Sequence, residues 1–116
     1  YTTDEAVCPW NDQTLYNIHG LSWTTSDVFV TAMFSRIYYQ IGLCNEFLRR
    51  SKSSSFRDSQ TMKTYEAEAR ALRALSYLHA IDMFGNVPFA TEANSVGSTG
   101  PDRISRAHLF KLLDKE

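Results

Sequence analysis

Cysteine, glycine and proline are scarce in this sequence of 116 residues, and long apolar runs are lacking. The two cysteines, Cys8 and Cys44, are too few for a disulfide framework and lack the C-x-x-C spacing of a metal or redox site. Because Cys44 falls on an apolar helical face, we expect it to be a small core residue. No run approaches the roughly 18 apolar residues that cross a bilayer, and no signal-peptide pattern opens the chain.

An excess of charge of one sign is also lacking. The net charge of −1 removes nucleic acid as a default partner, because phosphate binding requires a basic surface. The hydrophobic fraction of 43% and the aromatic fraction of 13% are those of a globular protein and disfavour intrinsic disorder. The chain opens with Tyr1 and stops at Glu116 inside a helical pattern, so we expect a fragment of a longer protein.

Catalytic patterns are absent as well. His19, His79 and His108 show no i, i+4 spacing and have no acidic or cysteine partners at metal-ligand spacing. The serines at 53–55 lie outside any G-x-S-x-G elbow, and Gly85 is not part of a glycine-rich phosphate loop. The sequence therefore predicts no enzyme, no metal site and no cofactor.

Helical periodicity is what the sequence contains most clearly. After Ser26, a good N-cap, apolar residues recur at steps of three and four and share one helical face: Val30, Phe34, Ile37, Ile41, Cys44 and Leu48. This spacing predicts a first helix over residues 27–50. The polar residues 51–58 have the length of a connection between antiparallel neighbours.

A second helix is predicted over residues 59–84. Its apolar stripe contains neither glycine nor proline and consists of Tyr65, Ala69, Leu72, Leu75, Leu78, Ile81 and Met83, with Ala71 and Ala74 beside them. Gly85 takes a positive φ without a Cβ penalty at the helix end, and Pro88 forbids continuation of the helix.

A third helix is predicted over residues 105–116, with Ser105 as its cap. Ile104 and Leu109 form a hydrophobic staple around that cap, and the buried side is predicted to hold Phe110, Leu112 and Leu113. The fold class is therefore predicted to be all-α, with two long antiparallel helices and a third helix entering. We expect residues 1–116 to form a single partial domain whose core a larger body completes.

Residues 1–26 have little helical pattern and are predicted to form an ordered leader loop, since a flexible linker would not carry two tryptophans. Flat ring faces beside hydrogen-bonding side chains suit sugars, which stack on rings and need polar partners for their hydroxyls. The candidate ligand-binding residues are Asp4, Trp10, Asn11, Asp12, Tyr16 and Trp23. The alternative is that these rings only fix the loop on the helices.

Five segments together resemble one known family. "EARALRA" at 68–74, running into "FGNVPF" at 84–89, resembles the SusD/RagB family of outer-membrane glycan-binding lipoproteins of Bacteroidetes. "TTDEAVCP" at 2–9 is similar to the family's leader, and "SRIYYQIGLCNEFL" at 35–48 and "ISRAHLFKLLDKE" at 104–116 are similar to two of its helices. The resemblance extends over nearly the whole chain.

The resemblance implies a tetratricopeptide-like helical scaffold and a receptor without enzymatic activity. It implies an oligosaccharide ligand, a SusC-like TonB-dependent outer-membrane transporter as partner, and a cell-surface location through a lipid anchor outside this fragment. Asp4 matches the family's leader acid, and residues 10–23 cover the region of its stacking aromatic. Many members have an arginine shortly after the leader proline, where this chain has Trp10 after Pro9.

Several residues that match the family strongly are assigned to architecture, namely Asn45, Glu68, Arg70, Arg73, Gly85 and Pro88. For Glu68 and Arg73 the expectation is a helix-surface or partly buried ion pair. The alternative function is a tetratricopeptide-like protein-interaction scaffold with no sugar site of its own. A carbohydrate-active enzyme would need an acid pair around a sugar site, and the sequence offers no such pair beyond ordinary surface carboxylates.

Overall fold

The computed structural model of the chain describes residues 2–94, 97 and 100–115. Within these residues lie four α-helices and one two-stranded antiparallel sheet. The elements are α1 Gln13–His19, α2 Val28–Ser51, α3 Gln60–Phe84, β1 Val87–Pro88, β2 Arg103–Ile104 and α4 Arg106–Leu113. The predicted all-α class is confirmed, because each strand has only two residues. The third helix, predicted to reach Glu116, ends at Leu113, and Glu116 itself lies outside the described residues.

The chain forms two compact units, residues 1–36 and 37–116, and the first contains a correction to the sequence-based prediction. The leader is not a loop throughout, because α1 forms within it. Asp12 caps this helix by accepting a hydrogen bond from the Thr14 amide at 2.8 Å, and Leu15 is its buried residue. With seven residues, α1 is too short to show apolar periodicity in the sequence.

The cap of α2 also differs from the prediction. The Oδ1 atom of Asp27 accepts the Phe29 amide at 3.2 Å, so Asp27 rather than Ser26 caps the helix. The other carboxylate oxygen of Asp27 accepts the Asn17 side-chain amide at 3.4 Å, which attaches α1 to the start of α2. The Ser26 hydroxyl lies 3.0 Å from the Thr24 hydroxyl instead. The predicted cap at Ser26 is therefore wrong by one residue, and the side-chain hydrogen bond of Asp27 identifies the actual cap.

In the second unit, α2 and α3 run antiparallel. The Ser51 hydroxyl donates to the Glu66 carboxylate, and Arg73 donates to Asn45 at 2.7 Å, so the contact positions advance in opposite directions along the two helices. The core of this unit comprises Ile37, Ile41, Cys44, Leu48, Ala69, Tyr77, Ala80, Ile81, Val87 and Leu109. Cys44 is buried, as expected from its apolar face.

The buried face of α3 is not the apolar stripe that the sequence predicts. Of that stripe only Ala69 and Ile81 are buried, while Tyr65, Leu72, Leu75, Leu78 and Met83 are exposed. The core side instead holds Arg73, Ser76, Tyr77 and Ala80. Apolar periodicity does not identify the buried face, because α3 carries apolar residues on more than one side. The polar side chains on the buried face form hydrogen bonds inside the fold. Phe110 of α4 and Phe34 of α2 are likewise exposed.

The segment "GNVPF" after α3 explains the abrupt end of that helix. Gly85 adopts φ 71° and ψ −110°, which is the mirror image of extended backbone and is accessible essentially only to glycine. The Asn86 side chain accepts the Arg106 amide at 3.0 Å, and Val87 is buried and pairs with Ile104. The chain therefore reverses direction at Gly85. The hydrogen bond from the Arg106 amide to Asn86 then connects this turn to the start of α4.

Replacing Gly85 by Ala is expected to lower the free energy of unfolding by about 1 to 3 kcal/mol, because a Cβ is strained at this backbone conformation although space for it is open. Gly42 is the matched control, since it lies inside α2 and an added Cβ there meets nothing within 4 Å. Gly42→Ala should stabilise by about 0.5 to 1 kcal/mol. Urea unfolding measures both, and equal effects of the two substitutions would contradict the turn assigned to Gly85.

Candidate functional site

The aromatic side chains of the leader are open to solvent. Trp10 is 73% exposed, Tyr16 is 51% exposed and Trp23 is 45% exposed. A ring that only fixed a loop on a core would be largely buried, so these exposures leave ring faces available to a ligand. The rings are therefore accessible, which is the first requirement of a stacking site.

The start of α1 brings four of the six candidate residues together. The Tyr16 hydroxyl donates to Oδ1 of Asn11 at 3.3 Å, and the Asp12 amide donates to the Trp10 carbonyl at 3.0 Å. Asp12 also uses one carboxylate oxygen to cap α1. These residues were predicted to lie in a loop, whereas in the structure they lie around the N-terminus of α1.

The other two candidates, Asp4 and Trp23, are not joined to this group by any hydrogen bond between described side chains. Asp4 is exposed in a turn near the start of the chain. Trp23 follows a tight turn in which the Ser22 amide donates to the Asn17 carbonyl at 2.8 Å and Leu21 has φ 55°. A left-handed leucine is uncommon and marks a turn that its surroundings fix.

The cluster at the start of α1 is held in place by further hydrogen bonds. The Gln13 side-chain amide donates to Oδ1 of Asn17 at 2.9 Å, and Asn17 in turn donates to the buried carboxylate of Asp27. Side chains on a helix are more precisely positioned than side chains on a loop. The arrangement can offer ring faces, a carboxylate oxygen and an amide to a hydroxyl-rich ligand. Across the described residues no three potential metal ligands form a cluster.

A second polar cluster, in residues 37–116, surrounds the segment 88–94, which we call the strap and which ends in a turn where the Asn94 amide donates to the Thr91 carbonyl at 3.1 Å. The Tyr77 hydroxyl donates to the Ala90 carbonyl at 2.7 Å and accepts the Ala90 amide at 2.8 Å. Asn45 donates its amide to the same carbonyl at 3.1 Å, and Tyr38 donates to the Pro88 carbonyl at 2.8 Å. Side chains of α2 and α3 therefore satisfy the backbone of the strap as a neighbouring strand would.

Glu92 of the strap forms two ion pairs, one with a long helix and one with the connection between the long helices. Arg73, with a side chain only 4% exposed, donates to Glu92 at 2.6 Å, and Lys52 lies 3.2 Å from the other carboxylate oxygen. The hydrogen bond from Arg73 lowers the pKa of Glu92 to about 2. The expected pairing of Arg73 with Glu68 is wrong, because Arg73 pairs with Glu92 of the strap, whereas Glu68 is exposed. Sequence reasoning missed Glu92 because it lies in a segment without pattern.

Burial also raises the pKa of two side chains in this unit, those of Tyr38 and Cys44. Burial raises the pKa of the Tyr38 hydroxyl above its usual range, so the group stays protonated and keeps its hydrogen bond to the Pro88 carbonyl. Burial likewise raises the pKa of the Cys44 thiol, which keeps it in the unreactive form. Neither group shows the environment of a catalytic residue. The polar cluster around the strap thus serves architecture.

No helix among the described residues combines the length and the hydrophobicity needed to cross a membrane. No protein-family model matches the chain. Over 88 residues the chain is 33% identical to the starch-binding protein SusD of Bacteroides thetaiotaomicron, a match that covers 75% of this chain and 15% of that protein. The chain thus spans a small part of the length of that relative. Over this part, it is similar to a starch-binding protein.

Proposed function

We propose that this chain is part of a SusD/RagB-family protein that captures oligosaccharides at the cell surface without transforming them. The observation that carries the proposal is the 33% identity to a starch-binding protein over 88 residues. The exposed rings of the leader are independent physical support, because stacking on sugar rings requires open aromatic faces. Both observations concern binding, and neither calls for a catalytic group.

The sugar site of this proposal lies in the leader. The ring faces of this site are those of Trp10, Tyr16 and Trp23. The side-chain NH2 group of Asn11 donates to sugar hydroxyls, while its oxygen accepts from Tyr16. Asp12 offers the carboxylate oxygen that the helix cap leaves over, and Asp4 offers a second carboxylate. A shallow site of this kind has few contacts, so we expect weak affinity.

The remaining parts of the proposal rest on the family resemblance. The two long antiparallel helices belong to a tetratricopeptide-like scaffold, and residues 1–116 are one part of a larger domain. The partner is a SusC-like TonB-dependent transporter of the outer membrane. The whole protein is held at the cell surface by a lipid anchor outside this chain.

Removing a stacking ring should weaken sugar binding about tenfold, since an aromatic contact contributes on the order of 1 kcal/mol beyond its buried area. The test is calorimetric titration of the chain with maltoheptaose, chosen because the relative binds starch. Trp10→Ala and Trp23→Ala are expected to weaken binding separately and to abolish it together. Phe56→Ala is the matched control, because Phe56 is 71% exposed but lies outside the leader.

Unchanged affinity in the folded double variant would remove the leader from the sugar site. The alternative function, a protein-interaction scaffold whose aromatic residues bind no sugar, has its own support in the exposed leucines of α3. Leu72, Leu75 and Leu78 are each 45% to 48% exposed. This alternative predicts no heat with any oligosaccharide and stable association with a protein partner.

A further inference from the structure

The first unit of the fold, residues 1–36, is acidic, although the chain as a whole is nearly neutral. Residues 1–35 contain no lysine or arginine, one histidine that is counted as neutral, and four acids, which are Asp4, Glu5, Asp12 and Asp27. Four acids without a base give this stretch a formal charge of −4, whereas the whole chain has −1. Three of the four acids belong to the leader, which therefore has a local excess of negative charge.

The three acids of the leader are open to solvent and form no ion pair. Asp4, Glu5 and Asp12 are exposed, and within the described residues no lysine or arginine nitrogen lies within 4.0 Å of their carboxylates. Asp27 differs, because it is buried and its two carboxylate oxygens accept from Phe29 and Asn17. The charges that a ligand meets in the leader are thus three uncompensated carboxylates.

Asp12 is joined through its backbone to two of the residues that carry exposed rings. Its amide donates to the Trp10 carbonyl at 3.0 Å, and its carbonyl accepts the Tyr16 amide at 3.1 Å. One of its carboxylate oxygens caps α1, so Asp12 itself occupies the helix end at which the helix dipole favours an anion. A ligand stacked on these rings therefore lies beside a carboxylate.

We propose that the leader site selects oligosaccharides by charge, binding amino sugars more tightly than neutral sugars and rejecting sugars that carry carboxylate or sulfate groups. This inference rests on the proposed function, because it concerns the same sugar site. An ammonium group on a stacked sugar is attracted both by the carboxylate of Asp12 and by an aromatic ring face. A carboxylate or sulfate in the same place is repelled by Asp12, and the leader has no lysine or arginine to compensate it.

The test is calorimetric titration of the chain with three forms of maltoheptaose that differ only in the primary alcohol of each glucose unit. The first form is unmodified, the second has an amine in place of this hydroxyl, and in the third the alcohol is oxidised to a carboxylate. The titrations are made at pH 7 and low ionic strength, where screening is weakest. We expect the amine form to bind about tenfold more tightly than the unmodified form, and the carboxylate form about tenfold more weakly.

Asp12→Asn isolates the charge of this residue, because asparagine is also a good helix cap and preserves the start of α1 without the carboxylate. In this variant the ratio of the affinities for the amine and carboxylate forms should fall about threefold or more. Asp58→Asn is the matched control, because the side chain of Asp58 is 91% exposed and lies outside the leader. It should leave the ratio unchanged, and circular dichroism verifies that both variants remain helical.

The outcomes separate charge selection from sugar binding. Equal affinities for the three forms would overturn charge selection and leave oligosaccharide capture standing. The same fall of the ratio in Asp58→Asn as in Asp12→Asn would also overturn it, because the preference would then come from the overall charge of the chain. Binding of none of the three forms would contradict a site for maltooligosaccharides in the leader and, with it, this inference.

Discussion

Replacing Arg73 by Met is expected to lower the free energy of unfolding by about 3 to 5 kcal/mol. The guanidinium of Arg73 is buried and donates to both Asn45 and Glu92. Met preserves the apolar stem but leaves a carboxylate and an amide oxygen without their main donor inside the fold. Small domains have a total stability of about 5 to 15 kcal/mol, so this loss would be a large fraction of it.

Arg70→Met is the matched control for this prediction. Arg70 lies one turn earlier on the same helix, is exposed, and forms part of the same sequence motif. We expect its substitution to change stability by less than about 0.5 kcal/mol. Urea unfolding followed by circular dichroism measures both variants. Similar losses for the two arginines would show that Arg73 is not the residue that fixes the strap.

Lowering the pH is expected to remove up to about 3 kcal/mol of stability between pH 4.5 and pH 2. The pKa of Glu92 is about 2 in the fold, whereas its ordinary value is 4.5. A depressed carboxylate pKa stabilises the folded state fully above the ordinary value, and this contribution is lost as the pH falls toward the folded value. Each pKa difference of one unit corresponds to about 1.4 kcal/mol. Urea unfolding at pH 7, 4, 3 and 2 measures this loss.

Two substitutions isolate Glu92 in the pH series. Glu92→Gln should be less stable at neutral pH and should lose less stability on acidification than the unsubstituted chain. Glu68→Gln replaces an exposed carboxylate of α3 and is the control for loss of one carboxylate, with an expected change in stability at pH 7 of less than about 0.5 kcal/mol. The assignment fails if Glu92→Gln and the unsubstituted chain lose the same stability on acidification.

The helices were predictable because their signals are local. Apolar steps of three and four, cap residues and Gly85 predict α2, α3 and α4 with starts within one residue of those observed. The buried face of α3 was not predictable, because its leucines and alanines lie on several sides of the helix. The buried face is the one that carries Arg73 and Tyr77, whose hydrogen-bond partners lie in the strap. Contacts between residues so distant in sequence leave no local pattern.

For the candidate site, the sequence indicates a composition but not an arrangement. Aromatic and polar residues in the leader predict a ligand site, and the rings of Trp10, Tyr16 and Trp23 are exposed. The short helix α1 was missed because its main signal is a single cap at Asp12. That helix determines which candidate residues lie together, because it places Asn11 beside Tyr16. Among the described side chains, Asp4 and Trp23 form no hydrogen bond with either of them.

Oligosaccharide capture is tested most directly by tryptophan fluorescence, because both tryptophans of the sequence, Trp10 and Trp23, lie in the leader. The chain is titrated with maltoheptaose, laminarihexaose, xylohexaose and mannohexaose, and the heat of each titration is measured in parallel. A saturable change in emission is expected with at least one of these oligosaccharides. Unchanged emission with all four, together with heats equal to those of dilution, would contradict oligosaccharide capture and favour the scaffold.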